Sequence, residues 1–500
     1  MQIRQISALF FFFYGALIPF LSYEFFNEYT IASIAMVFVS WLLGLLLLSG
    51  RAILISILIA VYIFKTYLVR PYVDLLLPYL NTNQYEYIIK NNYFFNADDA
   101  SKVYLHLLGL LFFWLIGLHI VKPIQLEKIH VPKIFSRVDS IIQEGNWRCW
   151  SGLIILAFLN YRDAIESWQG SFQLGTTDNE ATALFALGLF DPYLIYYICL
   201  YIFLTQKKLK ENPKYWLLLP IGFAAIQGMI NGSRGALFWI LVGGLSYWFF
   251  LNFNKNITVK DVKRFFYLTA TLPVVIFIAL VAQVIRPLLR YGSTASNPEI
   301  IPQLIRDGIT NSFNFSDPEN PVFKTIYFGL TELFHRISAL QAQFLIINDR
   351  YFHNPWEFYN PIQTTMRIVN GLVPGDPFPG LLSINQLYDF IYHNATVSYN
   401  SEMWGIQSTL YLYYGMWLSP IFVFFVAVLF GRYRIMIDKI SLMSPAFAVF
   451  FVFLFNDLME NGTLERIIPL DIVRAFTSYL GFIFLVKLIY FIFPEKRKLT

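Results

Sequence analysis

The stretch IASIAMVFVSWLLGLLLLSGRAILISILIAVYIFKTYLV, Ile31–Val69, decides the class of fold. Two apolar runs, Ile31–Ser49 and Ala52–Val69, flank one arginine, Arg51. Each run is close to the roughly 20 residues that a helix needs to cross a hydrocarbon core of about 30 Å. A charged side chain at the bilayer centre costs about 2.5–3.5 kcal/mol on insertion scales. Arg51 therefore belongs at a membrane surface, and the runs read as two antiparallel spans.

The same reading extends along the chain. Further candidate spans are Ile6–Leu21, Val103–Ile120, Trp147–Asn160, Leu184–Leu204, Tyr215–Ile230, Ala236–Leu251, Phe265–Ile285, Thr409–Phe430, Met443–Phe455 and Ile472–Phe493. With the first pair they make about 12 transmembrane helices, so the expected fold class is an all-α polytopic membrane protein. Composition agrees: 57% of residues are hydrophobic, 19% aromatic and 14% charged, against about 25% charged in soluble domains. The 51 Phe and 32 Tyr suit lipid-facing surfaces and interfacial belts. The net charge of +5 sits mostly in short membrane-flanking loops, which argues against nucleic acid as a partner. Cys149 and Cys199 do not make a disulfide framework. No small-residue cleavage site follows the first apolar run, so it reads as a retained helix and not a signal peptide.

Orientation follows from the Lys/Arg asymmetry of the loops. One side receives Arg4, Arg51, the Lys122–Arg148 segment, Lys207, Lys208, Lys210, Lys214, Lys255, Lys260, Lys263 and Arg264. It also receives Arg432, Arg434, Lys439 and the tail Lys496-Arg497-Lys498. On the other side, Ser22–Thr30 has two acids and no Lys or Arg, and Tyr161–Ala183 has Arg162 against four acids. Both termini are thus expected in the cytoplasm. Omitting the fifth span alone would place Arg4 outside, so that span is kept. The chain divides into residues 1–285, with the first nine spans, a large outer loop over 286–405, and residues 406–500 with three more spans and the tail. There is no internal repeat, Walker A loop, HExxH or Cys/His cluster with metal spacing. Neither an ATP site nor a metal site is expected, and no cofactor is implied.

The outer loops carry the groups that lipid excludes. Pro71–Lys102 mixes Asp74, Glu86, Lys90, Asp98 and Asp99 with many Tyr and Asn, a composition that suits sugar binding or a solvated aromatic loop. Asn231–Gly235, NGSRG, is a short hairpin whose Arg234 offers a planar fork for phosphate oxygens, or a snorkelling interfacial cation. Arg286 and Arg290, four apart in IRPLLRYG, share one helical face. Two like charges there repel unless an anion, such as a diphosphate, bridges them. Thr325–Asp349 has a helical apolar stripe beside His335 and Arg336, with Glu332 placed to pair with Arg336. LVPGDPFPG, Leu372–Gly380, reads as a rigid extended turn that shapes a pocket wall. In YHNATVSYNSEMWGIQ, His393 is a candidate proton acceptor, and Glu402 either orients it or acts as the base itself.

These outer residues resemble the bacterial O-antigen, capsule and common-antigen repeat-unit polymerases, the Wzy type, which share a membrane fold with the O-antigen ligases. The SRG turn, the long outer loop, and the run from His393-Asn394 through Glu402 and Gly405 to Tyr414-Gly415 carry the likeness, over about the C-terminal half. RYG at Arg290–Gly292 and LVPGDPFPG are similar to the common-antigen branch. The resemblance implies a GT-C-like helical fold in the bacterial inner membrane, with the large loop periplasmic. It implies metal-independent, inverting transfer of a glycan from undecaprenyl diphosphate onto another lipid-linked repeat unit. Undecaprenyl-diphosphate-linked oligosaccharide is then donor and acceptor, and a chain-length regulator is an optional protein partner. His393 takes the acceptor proton with Glu402 as partner or substitute. Arg234, Arg286, Arg290 and Arg336 hold the diphosphate. Two other readings stay open: a ligase that transfers glycan to lipid A-core, and a glycolipid flippase or secondary transporter. The latter is suggested by Lys65 and Asp191-Pro192 inside candidate spans.

Overall fold

A computed structural model describes residues 2–21, 30–69, 97–125, 129–156, 193–205, 246–256, 361–372, 377–379, 405–461 and 472–494, with the single positions 222, 243, 258, 263, 306 and 381. No strand occurs among the described residues. The helices are α1 (Ile3–Leu21), α2 (Thr30–Ser49), α3 (Ile53–Ile63), α4 (Ala97–Ile120), α5 (Lys133–Glu144) and α6 (147–156). They continue as α7 (Tyr193–Thr205), α8 (246–252), α9 (Pro361–Leu372), α10 (Gly405–Met443), α11 (Pro445–Asn461) and α12 (Arg474–Ile492).

Four segments are long and apolar enough to cross a membrane: Thr30–Ser49, Ala100–Ile120, Tyr413–Met443 and Ala475–Ile492. Shorter apolar helices cover Ile3–Pro19, Ile53–Val69, Leu194–Phe203 and Pro445–Met459. The described chain is therefore all-helical and has the spans of a membrane protein. Each of these helices falls on one of the expected spans. The expected spans Tyr215–Ile230 and Phe265–Ile285 lie outside the described residues, apart from position 222.

Two expected loops prove to be helical. The Lys122–Arg148 segment contains α5, which buries Phe135, Val138 and Ile142 and exposes Lys133, Ser136 and Arg137. That spacing is a one-sided helical stripe, and α5 packs it against α11 and α12. Arg432, Arg434 and Lys439 sit in the last turns of α10, which runs for 39 residues. Only Ser444 then separates α10 from α11. Ser444 is the N-cap of α11 and Pro445 its first residue, a position where the missing N–H costs nothing. Ser444 Oγ accepts from Phe447 N at 3.1 Å. Asp139 of α5 completes the cap, its Oδ1 accepting from Ala446 N at 2.9 Å and its Oδ2 from Ser444 Oγ at 2.5 Å.

A continuous set of contacts gathers the cation-bearing segments at one end of the helices. Arg4 N donates to Phe253 O, and Gln2 pairs with Asn256. Arg51 Nη1 donates to His119 O at 3.0 Å and Arg434 Nη1 to Leu118 O at 2.9 Å. Both guanidinium groups thus meet the C-terminal carbonyls of α4, where a helix dipole favours positive charge. Asp438 caps the start of α3 by accepting from Ile53 N and Leu54 N. Arg148 donates twice to Phe493 O and lies over the rings of Trp147 and Tyr490.

The core joins α4 to α10 most extensively. Close approach there needs small residues, as membrane helix pairs generally do. A Cβ on Gly117 would lie 2.6 Å from Phe424 O and 2.7 Å from Ala427 Cβ. Towards the other end of α4, α3 runs on into a π-helical turn, Phe64–Val69. Its late carbonyls find side-chain donors: Tyr104 Oη donates to Tyr67 O and Tyr14 Oη to Leu68 O, both at 2.8 Å. Within a membrane such pairing is what makes irregular backbone tolerable.

Candidate functional site

At the end of α10 away from the cations, polar side chains converge on a break in the helix. Gly415 has φ 69° and ψ −175°, a region essentially closed to residues with a Cβ. The break divides α10 into a short N-terminal piece carrying Gln407 and a long piece carrying Ser419 and Pro420. His106, inside the α4 span, bonds to both pieces. Its Nε2 lies 2.5 Å from Ser419 Oγ, and its Nδ1 lies 3.2 Å from Gln407 Nε2.

The protonation pattern follows from the donors. Gln407 Nε2 also donates to Val103 O at 2.7 Å. A carbonyl only accepts, which fixes the amide orientation. Gln407 then donates to Nδ1, so the ring proton sits on Nε2 and is donated to Ser419. His106 is 1% exposed, and its ring packs roughly perpendicular to that of Tyr411 at 5.6 Å between centroids. A residue so enclosed ties α4 to the two pieces of α10.

The large loop contributes α9 to the same region. α9 is amphipathic, with Thr364 and Arg367 buried on one face, and Ile362 and Thr365 exposed on the other. Thr364 Oγ1 and Tyr413 Oη share a hydrogen bond of 2.9 Å, which docks α9 on the short N-terminal piece of α10. Beyond α9 the chain folds back: Asn370 donates to Phe378 O and accepts from Phe378 N, at 2.9 and 3.0 Å. Within LVPGDPFPG, the end at Phe378 is therefore held against α9 by a paired amide. Arg367 brings a buried cation to this end of the molecule, where neutral side chains otherwise predominate among the described contacts.

His393, Glu402, Arg234, Arg286, Arg290 and Arg336 lie outside the described residues, as do His335, Glu332, Asp191-Pro192 and most of Pro71–Lys102. Asp98, Asp99 and Lys102 fall in α4, which begins at Ala97. Lys65 is described: it lies in the π-helical turn with its ammonium 5.7 Å from the centre of the Tyr62 ring, a cation–π distance. Sequence reasoning passed over His106, Gln407 and Arg367. A histidine inside the apolar run LHLLGLL was the available signal for the first. Nothing in the sequence announced that Gln407 and Ser419 would meet it. Among the described residues, no group of three or more His, Cys, Asp or Glu is placed to hold a metal ion.

Comparison with protein-family models, with curated proteins and with solved structures finds no match to this chain.

Proposed function

We propose that this chain is an inner-membrane polymerase of undecaprenyl-diphosphate-linked oligosaccharide repeat units, with about 12 spans in a GT-C-like arrangement and its chemistry on the periplasmic side. One observation carries the reading. The cation-bearing segments meet at one end of the helices, while α9 of the large loop docks at the opposite end of α10. The positive-inside rule assigns the first end to the cytoplasm, which leaves the large loop outside, where lipid-linked glycans are assembled. Gly405 opens α10, and Glu402 precedes it by three residues in the chain. Arg367 adds a buried cation on the same loop.

In this reading His393 takes the proton of the acceptor hydroxyl as it attacks the anomeric carbon, an effect worth about 10²–10⁴-fold. Glu402 orients the imidazole or replaces it. Arg234, Arg286, Arg290 and Arg336 stabilise the charge that develops on the leaving diphosphate. Attack opposite that leaving group inverts the anomeric centre. No step calls on a metal or a nucleotide. A ligase acting on lipid A-core would share this chemistry and differ only in its acceptor.

A transporter or flippase remains the second reading, and the break at Gly415 favours it, because broken spans line many transport sites. One experiment separates the readings. Purified protein is incubated with a defined lipid-linked repeat unit, without metal or nucleotide. A polymerase yields a ladder, a ligase extends added lipid A-core, and a transporter leaves the repeat unit unchanged. In the polymerase reading, His393→Gln abolishes the ladder while repeat units accumulate, and Arg290→Ala and Arg234→Ala reduce it strongly. A ladder of wild-type length and rate from all three variants would refute these roles.

A further inference from the structure

The turn between α2 and α3 gathers arginines from three parts of the chain. Gly50 and Ala52 both take positive φ, 61° and 45°, which reverses the chain tightly and sets Arg51 at the corner. Ser56 Oγ donates to Arg51 O at 2.8 Å and holds that corner in place. The Arg51 side chain then reaches the last turn of α4, where its Nη1 meets His119 O at 3.0 Å. Arg434 Nη1 meets the neighbouring carbonyl, Leu118 O, at 2.9 Å. Consecutive Cα atoms lie about 3.8 Å apart and successive helical carbonyls point the same way, so the two Nη1 atoms are at most about 10 Å apart. Arg4 flanks them: its Nη1 lies 2.9 Å from where a Cβ on Gly50 would be, and its buried Nε has no hydrogen-bond partner among the described residues.

Charge at this corner is one-sided. Among the described residues the acid packed against it is Asp438, and both its carboxylate oxygens already accept from Ile53 N and Leu54 N at the start of α3. Neither Arg51 nor Arg434 gives another side-chain N–H to an acceptor among the described residues. Guanidinium groups held this close repel one another unless an anion lies between them. Their planar forks match the oxygens of a phosphate, and charge-assisted bonds of about 2.8 Å to two of those oxygens close a gap of this order. The α4 face that ends here is apolar: Phe112, Ile116 and Ile120 are exposed at i, i+4 and i+8, a single stripe along the helix. A phosphate at the end of such a stripe fits a lipid headgroup whose acyl chain lies along the helix, better than a free phosphate ion.

We propose that Arg51 and Arg434, flanked by Arg4, bind the phosphate of an anionic glycerophospholipid, with an acyl chain against Phe112, Ile116 and Ile120 of α4. Basic pockets between membrane helices recognise anionic headgroups by the same chemistry. A zwitterionic headgroup brings its phosphate with a compensating cation, which the arginines repel, so the site selects for net negative charge. The bound lipid ties the α2–α3 turn to α4 and α10. The proposal is independent of glycosyl transfer and holds for an enzyme or a transporter alike.

The test is thermal unfolding of the purified protein in a neutral detergent, titrated with phosphatidylglycerol, phosphatidylcholine or glycerophosphate. A ligand that binds only the folded state raises stability with saturation. The wild type is expected to gain several degrees from phosphatidylglycerol and little from the other two. Arg51→Gln and Arg434→Gln are each expected to lose most of that gain, whatever their melting temperature without lipid. Arg137→Gln, which removes an exposed cation from α5, is expected to keep it. Equal gains from phosphatidylglycerol and phosphatidylcholine would overturn the proposal, and so would a gain from glycerophosphate as large as that from the lipid. An undiminished gain in both Arg51→Gln and Arg434→Gln would overturn it as well. So would an equal loss in Arg137→Gln, the mark of diffuse attraction to positive charge. If a Gln variant does not fold, Arg51→Lys or Arg434→Lys replaces it; a partial loss is expected, because an ammonium has no fork, and an undiminished gain overturns the proposal.

Discussion

His106 Nε2 lies 2.5 Å from Ser419 Oγ, across 313 positions of sequence. The contact ties α4 to the long piece of α10, and Gln407, on the short N-terminal piece, holds the other ring nitrogen. One imidazole thus bridges the break at Gly415.

Removing the bridge has a computable direction. His106→Ala leaves Ser419 Oγ and one N–H of Gln407 without the His106 ring in a buried site, while the other Gln407 N–H keeps Val103 O, and an unsatisfied buried group costs about 1–3 kcal/mol. Thermal unfolding in detergent is expected to show a loss in that range. Stability equal to wild type would mean that the bridge carries no net energy.

Gly415 supplies a cleaner test of backbone strain. Among the described residues a Cβ there would meet nothing within 4 Å, so Gly415→Ala carries no steric penalty from them. Its φ of 69° with ψ −175° remains, and such a conformation costs a non-glycine residue about 1–3 kcal/mol. Gly109→Ala, where among the described residues the new methyl would find only Pro420 Cγ at 3.5 Å, is expected to be neutral or to gain up to about 1 kcal/mol from helix propensity. If both variants melt together, the break is not held by the glycine.

The cap on α11 spans two elements. Asp139→Ala removes acceptors from Ala446 N and Ser444 Oγ and is expected to cost about 0.5–2 kcal/mol. Asp139→Asn keeps an acceptor but loses the charge at a helix N-terminus, and its loss should be smaller. An Asn variant less stable than the Ala variant would contradict a capping role.

Topology can be read with introduced thiols, because Cys149 and Cys199 are both 0% exposed. Ser136→Cys on the exposed face of α5 is expected to react with an impermeant maleimide only after the cell is opened. Thr365→Cys on the exposed face of α9 should react in intact spheroplasts. Labelling of both from the same side would overturn the placement of the large loop.

The sequence alone determined that the chain is a helical membrane protein, where most described spans lie, and that its described cation-bearing segments gather at one end. Hydrophobic length and charge distribution are local properties, and lipid imposes them on each span separately. The candidate catalytic residues were legible only as types between apolar runs, since chemistry depends on distances that spacing along a loop does not set. Where pattern was read too coarsely, helices were missed: the stripe of Phe135, Val138 and Ile142 lay in a segment treated as basic loop. Other features came only from tertiary structure. Gln407, His106 and Ser419 are distant in sequence, and their meeting depends on how closely α4 can approach α10 at Gly117. Arg51 and Arg434 meet neighbouring carbonyls of α4 because α4 packs beside both α2 and α10. In lipid the apolar surface of a span has no preferred neighbour. Pairing is left to shape and to a few polar groups, and those act only once the helices are side by side.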